Sequence, residues 1–261
     1  MTSADTTIRD GGLAASLERA VKTAQAASLK RASEEPYEPA PILHEPTEDE
    51  RAEAVDRALK RAGMPKRYRA ASADSGFDEV IASGSGLYIQ GPVGCGKTHL
   101  ACAVAKSYAH AALARTHDKP RVARRIRFVT SIDFLARLKE TYDVATGSAE
   151  SDVMRGFAEC DLLILDDLGK DLPTEWAVNR IFQLLNARYN EMLPTLITTQ
   201  YTPEQLAVKF SRRADAVDAE AIVSRISEMC AAVELGGSDR RIKGRSVYRL
   251  QPVENGWNAV A

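Results

Sequence analysis

With 261 residues, 44% of them hydrophobic, the chain can bury one substantial core and still carry a small appendage. Its 35 Lys and Arg nearly cancel its 36 Asp and Glu, which excludes a polycationic nucleic-acid binder and leaves phosphate contacts to local clusters. Cys95, Cys102, Cys160 and Cys230 form no C-x-x-C pair and have no His at zinc spacing, and neither a signal-peptide core nor an 18-residue apolar run occurs, so the expectation is a soluble, cytoplasmic chain with reduced thiols and no membrane partner.

Leu13, Leu17, Val21 and Ala24 recur at helical spacing, and a Pro/Glu-rich stretch from Ser33 to Pro46 follows. Residues 1–46 are therefore expected to be a small helical arm and linker, and residues 47–261 the main folded domain. Thr47 with Glu50 forms a capping box, Val55, Ala58, Leu59 and Ala62 make the stripe of a helix, and Gly63 with Pro65 ends it. From Gly86 onward strands and helices alternate, the pattern of a parallel α/β sheet with crossover helices. Strands are expected at Gly86–Gln90, Arg127–Thr130, Leu162–Leu165, Thr195–Thr199 and, last, Ala231–Leu235, five in all. The helices between them are Thr98–Leu113, an N-capped Ser131–Tyr142, Thr174–Asn190 and 217–229. The core stripe of the third is Val178, Ile181, Phe182, Leu185 and Tyr189.

Between the first strand and an Ala-rich helix stands Gly91-Pro92-Val93-Gly94-Cys95-Gly96-Lys97-Thr98, a match to G-x-x-x-x-G-K-[ST]. Such a loop curls its backbone N–H groups around phosphate oxygens; Lys97 reaches the outer phosphates and the Thr98 hydroxyl ligates Mg²⁺. His99 opens the helix and belongs to the same nucleotide-binding stretch. Leu162-Leu163-Ile164-Leu165 leads into Asp166-Asp167, two carboxylates at the carboxyl end of a buried strand, where open α/β sheets bind ligands. Asp166 would hold Mg²⁺ and Asp167 would orient or deprotonate the attacking water. Gln200, after Leu196-Ile197-Thr198-Thr199, would stand beside the γ-phosphate if its strand lies between the other two; the alternative is an ordinary turn.

These motifs, with Met64-Pro65-Lys66-Arg67-Tyr68-Arg69, Ser224-Arg225-Ile226-Ser227-Glu228-Met229 and Asp239-Arg240-Arg241, resemble those of the DnaC/DnaI-type loaders of the bacterial replicative helicase, which are AAA+ ATPases. The resemblance spans roughly residues 60 to 245 and is shared in part with IstB-type transposition helpers. It implies a P-loop AAA+ core whose five-stranded parallel sheet runs 5-1-4-3-2, without a carboxyl-terminal helical lid. By that resemblance Gln200 occupies the sensor-1 place, Arg225 is an arginine finger reaching a neighbour's ATP, and Arg241 senses phosphate, although the basic run around it would also suit DNA backbone. Lys139, Tyr142 and Trp176 align with channel-facing positions that bind single-stranded DNA; Tyr142 also shares a face with Leu135 and Leu138 and would serve equally in the core. Lys119, Arg121, Arg124, Arg125 and Arg127 are either a further phosphate surface or a solvated loop. The implied function is ATP-dependent loading of the replicative helicase onto single-stranded DNA, with Mg²⁺ as cofactor, self-assembly into an ATP-dependent oligomer, and the arm gripping the helicase. Rival readings are a transposase helper and a nucleotide-switched adaptor that does not hydrolyse ATP.

Overall fold

The computed structural model describes residues 47–72, 77, 80–81, 83–114, 126–141, 148–170, 174–212, 214–236, 249–253 and 256–260. The expected arm helix and linker, Tyr142, Arg240, Arg241 and the basic residues 119–125 lie outside them. Helix α1, Glu48–Arg61, starts at the anticipated capping box: the Thr47 N–H donates to Glu50 Oε2 at 2.8 Å and the Glu50 N–H to Thr47 Oγ1 at 3.3 Å. Its apolar stripe, Val55, Ala58 and Leu59, is buried.

Seven strands form one sheet: β1 (Gly86–Gln90), β2 (Ile126–Thr130), β3 (Leu162–Leu168), β4 (Thr195–Thr199), β5 (Cys230–Glu234), β6 (Arg249–Val253) and β7 (Gly256–Val260), in the order β2-β3-β4-β1-β5-β7-β6. The first five pair in parallel and reproduce the expected order 5-1-4-3-2. The expectation that the sheet ends at the fifth strand is corrected, because β7 adds in parallel to β5 and β6 closes antiparallel on β7. Pro252 hid β6 from a sequence reading: it cannot donate to a ladder and is tolerated only where a strand is an edge, as β6 is.

A short 3-10 turn at Lys66–Tyr68 and helices α2 (Lys97–Ala114), α3 (Ser131–Glu140), α4 (Ser148–Ala158), α5 (Glu175–Asn190), α6 (Pro203–Ser211) and α7 (Ala216–Met229) complete the described elements. Side-chain alternation sorts the strands between two cores. Leu87, Ile89, Leu162, Ile164 and Leu196 pack with α1 and α2, whereas Tyr88, Leu163, Leu165 and Ile197 pack with α3 and α5 to α7. Burial on both faces is why the central strands read as continuous apolar runs. Because β1, β3 and β4 run parallel, they deliver their carboxyl ends to the same edge.

Two details depart from expectation. The cap of α3 is Thr130, whose Oγ1 accepts the Asp133 N–H at 3.0 Å, so Ser131 is free to turn inward. On α5 the buried face includes Leu184 and Arg188, while Phe182 and Tyr189 are only half-buried, lying 4.8 and 5.7 Å beneath the Arg225 guanidinium.

Arg188 is fully buried. Its Nε donates to Thr195 Oγ1 at 2.8 Å, Nη2 to the Pro194 carbonyl at 2.7 Å, and Nη1 to the carbonyls of Phe157, Ala158 and Cys160 at 3.0, 3.1 and 2.8 Å. Phe157 and Ala158 close α4, where the helix leaves its last carbonyls unpaired and its dipole favours a cation. One side chain thus satisfies a helix end and ties it to the starts of β3 and β4. Arg188→Met should lower unfolding free energy by about 3 kcal/mol or more, since it orphans several buried carbonyls at once. Urea denaturation followed by circular dichroism checks this; a loss under 1 kcal/mol, roughly that of one hydrogen bond, would show that the carbonyls find other partners.

Candidate nucleotide site

Strand β1 runs into the loop through Gly91, where a Cβ would stand 2.3 Å from the Leu235 carbonyl oxygen. Only glycine lets the loop leave the sheet that close to the end of β5. Cys95 is buried beneath the loop, while Pro92 and Val93 form its exposed crown. Gly94 and Gly96 both have positive φ. Lys97 opens α2 and is itself buried; its Nζ donates to the carbonyls of Gly91 and Pro92 at 2.9 and 2.8 Å. The ammonium is therefore held inside the curl of the loop, at the positive end of the helix dipole, as an anion site requires. His99 is half-buried on the first turn.

Asp166 approaches from β3. Its Oδ1 accepts from Thr98 Oγ1 at 2.9 Å and from Thr198 Oγ1 at 2.6 Å, joining α2, β3 and β4 in one contact. Burial pushes the carboxyl pKa up against the lowering effect of the Thr198 hydroxyl; Asp167 adds to the rise, and Thr98 and Lys97 oppose it. A buried carboxylate oxygen beside a threonine hydroxyl suits a hard divalent cation, which would relieve that cost. No group of three or more His, Cys, Asp or Glu that could hold a metal occurs among the described residues. Thr98 and Asp166 would thus supply part of a Mg²⁺ shell, the remainder coming from phosphate and water.

Asp167 adopts φ 57, the left-handed region uncommon for a side-chain-bearing residue, at a register shift between Leu165 and Leu168. Its N–H donates to Thr198 Oγ1 at 2.9 Å, its carbonyl accepts from Ser131 Oγ at 3.0 Å, and its Oδ2 accepts from Lys170 Nζ at 3.1 Å. The two carboxylates keep different partners, Asp166 the hydroxyls of Thr98 and Thr198 and Asp167 the ammonium of Lys170. Thr198 serves both, donating to one acid's side chain and accepting from the next residue's backbone.

Gln200 is exposed just beyond β4, which does lie between β1 and β3. The corner that carries it is fixed by Thr199 Oγ1 donating to the Leu168 carbonyl at 2.7 Å and by the Tyr88 hydroxyl donating to the Tyr201 carbonyl at 2.9 Å. Arg225 is half-buried on α7: its Nε donates to Asn186 Oδ1 at 2.8 Å and its Nη1 to the Ala221 carbonyl at 3.1 Å. Lys139 and Trp176 come together, Lys139 Nζ lying 5.2 Å from the indole centroid, with the Arg180 guanidinium at 5.9 Å from the same ring. Trp176 is half-buried against the core rather than exposed at the helix start. Arg127 is exposed on β2. Sequence reasoning missed Thr198, Ser131, Lys170 and Arg180; only the Thr-Thr pair at the end of β4 carried a signal, as hydroxyls at the ligand end of a strand.

The sheet order, the loop after β1 and the acid pair at the end of β3 define a P-loop core of the AAA+ class. The model of the IstB-like ATP binding protein family matches residues 78–247, well over half of the chain, and the chain belongs to that family. It is 26% identical over 163 residues to the replicative helicase loader DnaI of Bacillus subtilis (strain 168), a match covering 60% of this chain and 48% of that one. To the replicative helicase loader DnaC of Escherichia coli (strain K12) it is 25% identical over 137 residues, covering 52% and 50%. The crystal structure of DnaI superposes with a TM-score of 0.51 at 26% identity, over 66% of this chain and 95% of that one. The chain spans about half the length of the curated relatives it matches. Among the described residues, no helix is long and apolar enough to cross a membrane.

The raised pKa of Asp166 has a consequence for stability. An acid whose folded pKa lies above its unfolded value penalises folding when ionised, so stability from this group falls as pH rises through the window between the two values. Asp166→Asn should raise the Tm of the nucleotide-free protein at neutral pH and flatten its dependence between mildly acidic and neutral pH, while removing Mg²⁺-dependent nucleotide affinity. Differential scanning fluorimetry across pH checks the first effect; an unchanged or lower Tm would show that the carboxylate is stabilising as an anion.

Proposed function

We propose that the chain is an ATP-driven loader of the replicative DNA helicase onto single-stranded DNA, in which a cycle of ATP binding and hydrolysis controls assembly and release in the cytoplasm. The observation that carries the ATPase part is the Thr98–Asp166–Thr198 contact beside the buried Lys97. The likeness to DnaI and DnaC supports the loading part.

In this reading residues 91–99 cradle the phosphates, Lys97 exchanges its two loop carbonyls for phosphate oxygens, and Thr98 and Asp166 hold Mg²⁺, which when bound neutralises charge on the β- and γ-phosphates. Asp167 orients a water whose oxygen bonds to the γ-phosphorus as the bridge to the β-phosphate breaks, and its carboxylate accepts the water's proton. Gln200, on its fixed corner, reads the γ-phosphate through its amide. Arg225 reaches a neighbouring subunit's ATP, with Asn186 and the rings of Phe182 and Tyr189 orienting its guanidinium. Arg241 is a second phosphate sensor. Lys139, Tyr142 and Trp176 contact single-stranded DNA, the indole by stacking and Lys139 on phosphate. Residues 1–46 form the arm that binds the helicase, and residues 47–261 the ATPase domain.

Affinity capture from the native host with the full chain and with residues 47–261 tests the whole reading. The full chain should retain a replicative helicase and the truncated chain should lose it while still binding ATP. Recovery of a transposase instead would establish the helper reading, and helicase capture undiminished by truncation would remove the arm's role.

Completion of the site across a boundary has its own test. Arg225→Ala should leave ATP affinity nearly unchanged but lower phosphate release by about 10³-fold or more, the usual loss for a missing arginine finger. Mixing Arg225→Ala with Asp167→Ala protein should restore activity, because some interfaces then pair an intact acid with an intact arginine. No recovery where mixed assemblies demonstrably form would count against completion of the site in trans. For DNA, Trp176→Ala should weaken single-strand affinity by about 1–3 kcal/mol, read by fluorescence anisotropy at fixed salt; unchanged affinity would return the indole to packing against α3.

A further inference from the structure

Lys170 has no part in the scheme above, yet its Nζ lies 3.1 Å from Oδ2 of Asp167, the carboxylate assigned to the attacking water. Both ends of this pair stand on fixed backbone. On one side, Asp167 is clamped by Thr198 Oγ1 and Ser131 Oγ. On the other, Lys170 follows a turn in which its N–H donates to the Asp167 carbonyl at 3.2 Å. Gly169, at φ 81, sits so close to its neighbours that a Cβ there would be 2.8 Å from Leu206 Cδ1 and 3.2 Å from the Tyr201 ring. The turn is closely packed at Gly169, and rotation of the long lysine side chain is the simplest motion that opens the pair.

Side-chain exposure is 29% for Asp167 and 54% for Lys170. Solvent can therefore reach the pair, and another anion can compete for the lysine. While the pair is closed, one carboxylate oxygen is committed to an ammonium and is not presented to a water. Lys97 already provides the buried cation within the phosphate loop, which leaves Lys170 a different task.

We propose that Lys170 is a positioning residue that restrains Asp167 and so acts as a brake on hydrolysis. This rests on the reading of Asp167 as the water-orienting carboxylate. The restraint is modest by construction, because a half-exposed pair is screened by solvent.

Steady-state phosphate release by the full chain against ATP concentration tests it. Lys170→Ala should raise kcat by about two- to fivefold, the upper value corresponding to about 1 kcal/mol, with KM and the affinity for a non-hydrolysable ATP analogue unchanged. Lys170→Arg keeps the charge and should hold kcat near wild type. In an Asp167→Asn background the Lys170→Ala change should have no effect. A fall in kcat, a weakened analogue affinity, or a kcat unchanged in Lys170→Ala would each overturn the brake, the second by making Lys170 a phosphate ligand. The parent reading fails separately: Asp167→Asn with wild-type hydrolysis, or phosphate release that survives Lys97→Ala, would remove Asp167 or the loop from catalysis and the brake with it.

Discussion

A single buried carboxylate oxygen holds the working end of this molecule together. Asp166 Oδ1 accepts hydrogen bonds from the hydroxyls of Thr98 at the start of α2 and Thr198 near the end of β4, so three elements that are remote in sequence meet at one atom. Hydroxyls are neutral donors, and they soften the burial of the charge without cancelling it, as the upward pKa shift shows. A full ionic partner at that position would stabilise the empty site and oppose a cation. The design of the parallel sheet follows from the same contact. Crossover helices return each strand in the same direction, so β1, β3 and β4 all end at this edge, and the phosphate loop, the acid pair and Gln200 share it.

The same strands carry a second buried charge at their other end, and the contrast is instructive. Arg188 meets the entrances of β3 and β4 with donors filled by Thr195 and by carbonyls of Phe157, Ala158, Cys160 and Pro194. Burial lowers its pKa, but a group that ordinarily titrates so far above neutrality stays charged. At the Arg188 end the elements are tied by a cation that donates to five oxygen acceptors; at the Asp166 end the anion is left short of positive charge. One end of β3 and β4 is therefore an anchor and the other a socket. Bound Mg²⁺ and nucleotide would complete at the socket what Arg188 completes at the anchor.

How much of this was readable in the residues depends on whether a group acts through local spacing or through the fold. Gly91 to Thr98, the Thr47–Glu50 cap and the alternation of apolar strands with helical stripes are local, and each emerged where the spacing put it. The order of the five parallel strands came with the resemblance that those motifs carry. Thr198, Ser131 and Lys170 gave little sign, because a threonine in a strand or a serine at a helix start is ordinary until the sheet brings it to Asp166 or Asp167. Arg188 was invisible for a related reason: a long cation on an amphipathic helix is normally solvated, and only the approach of α4 to the strand entrances supplies enough carbonyls to bury it. Phe182 and Tyr189 were misjudged by the converse effect. Their positions fit the apolar stripe, but α7 covers them with the Arg225 guanidinium instead of with aliphatic carbon.

Helix α5 links these features mechanically. Trp176 stands near its start beside Lys139, Asn186 holds Arg225 from a point ten residues further on, about 15 Å along the axis, and Arg188 roots the helix in the base of the sheet. A strand engaged at Trp176 and a neighbour's nucleotide approached by Arg225 would thus bear on the same rigid body. Translation of that body would break the bonds of Arg188 to several buried carbonyls together, a cost far above that of turning a surface side chain. If Trp176 takes a base and Arg225 a neighbour's nucleotide, communication between them would run through side-chain rotation on a stationary helix: the guanidinium of Arg225 leaving Asn186, the indole of Trp176 exchanging Lys139 and Arg180 for the base. An assembly built this way would keep its ATP sites in register while its contacts changed, because the helix joining them is rooted by the buried bonds of Arg188.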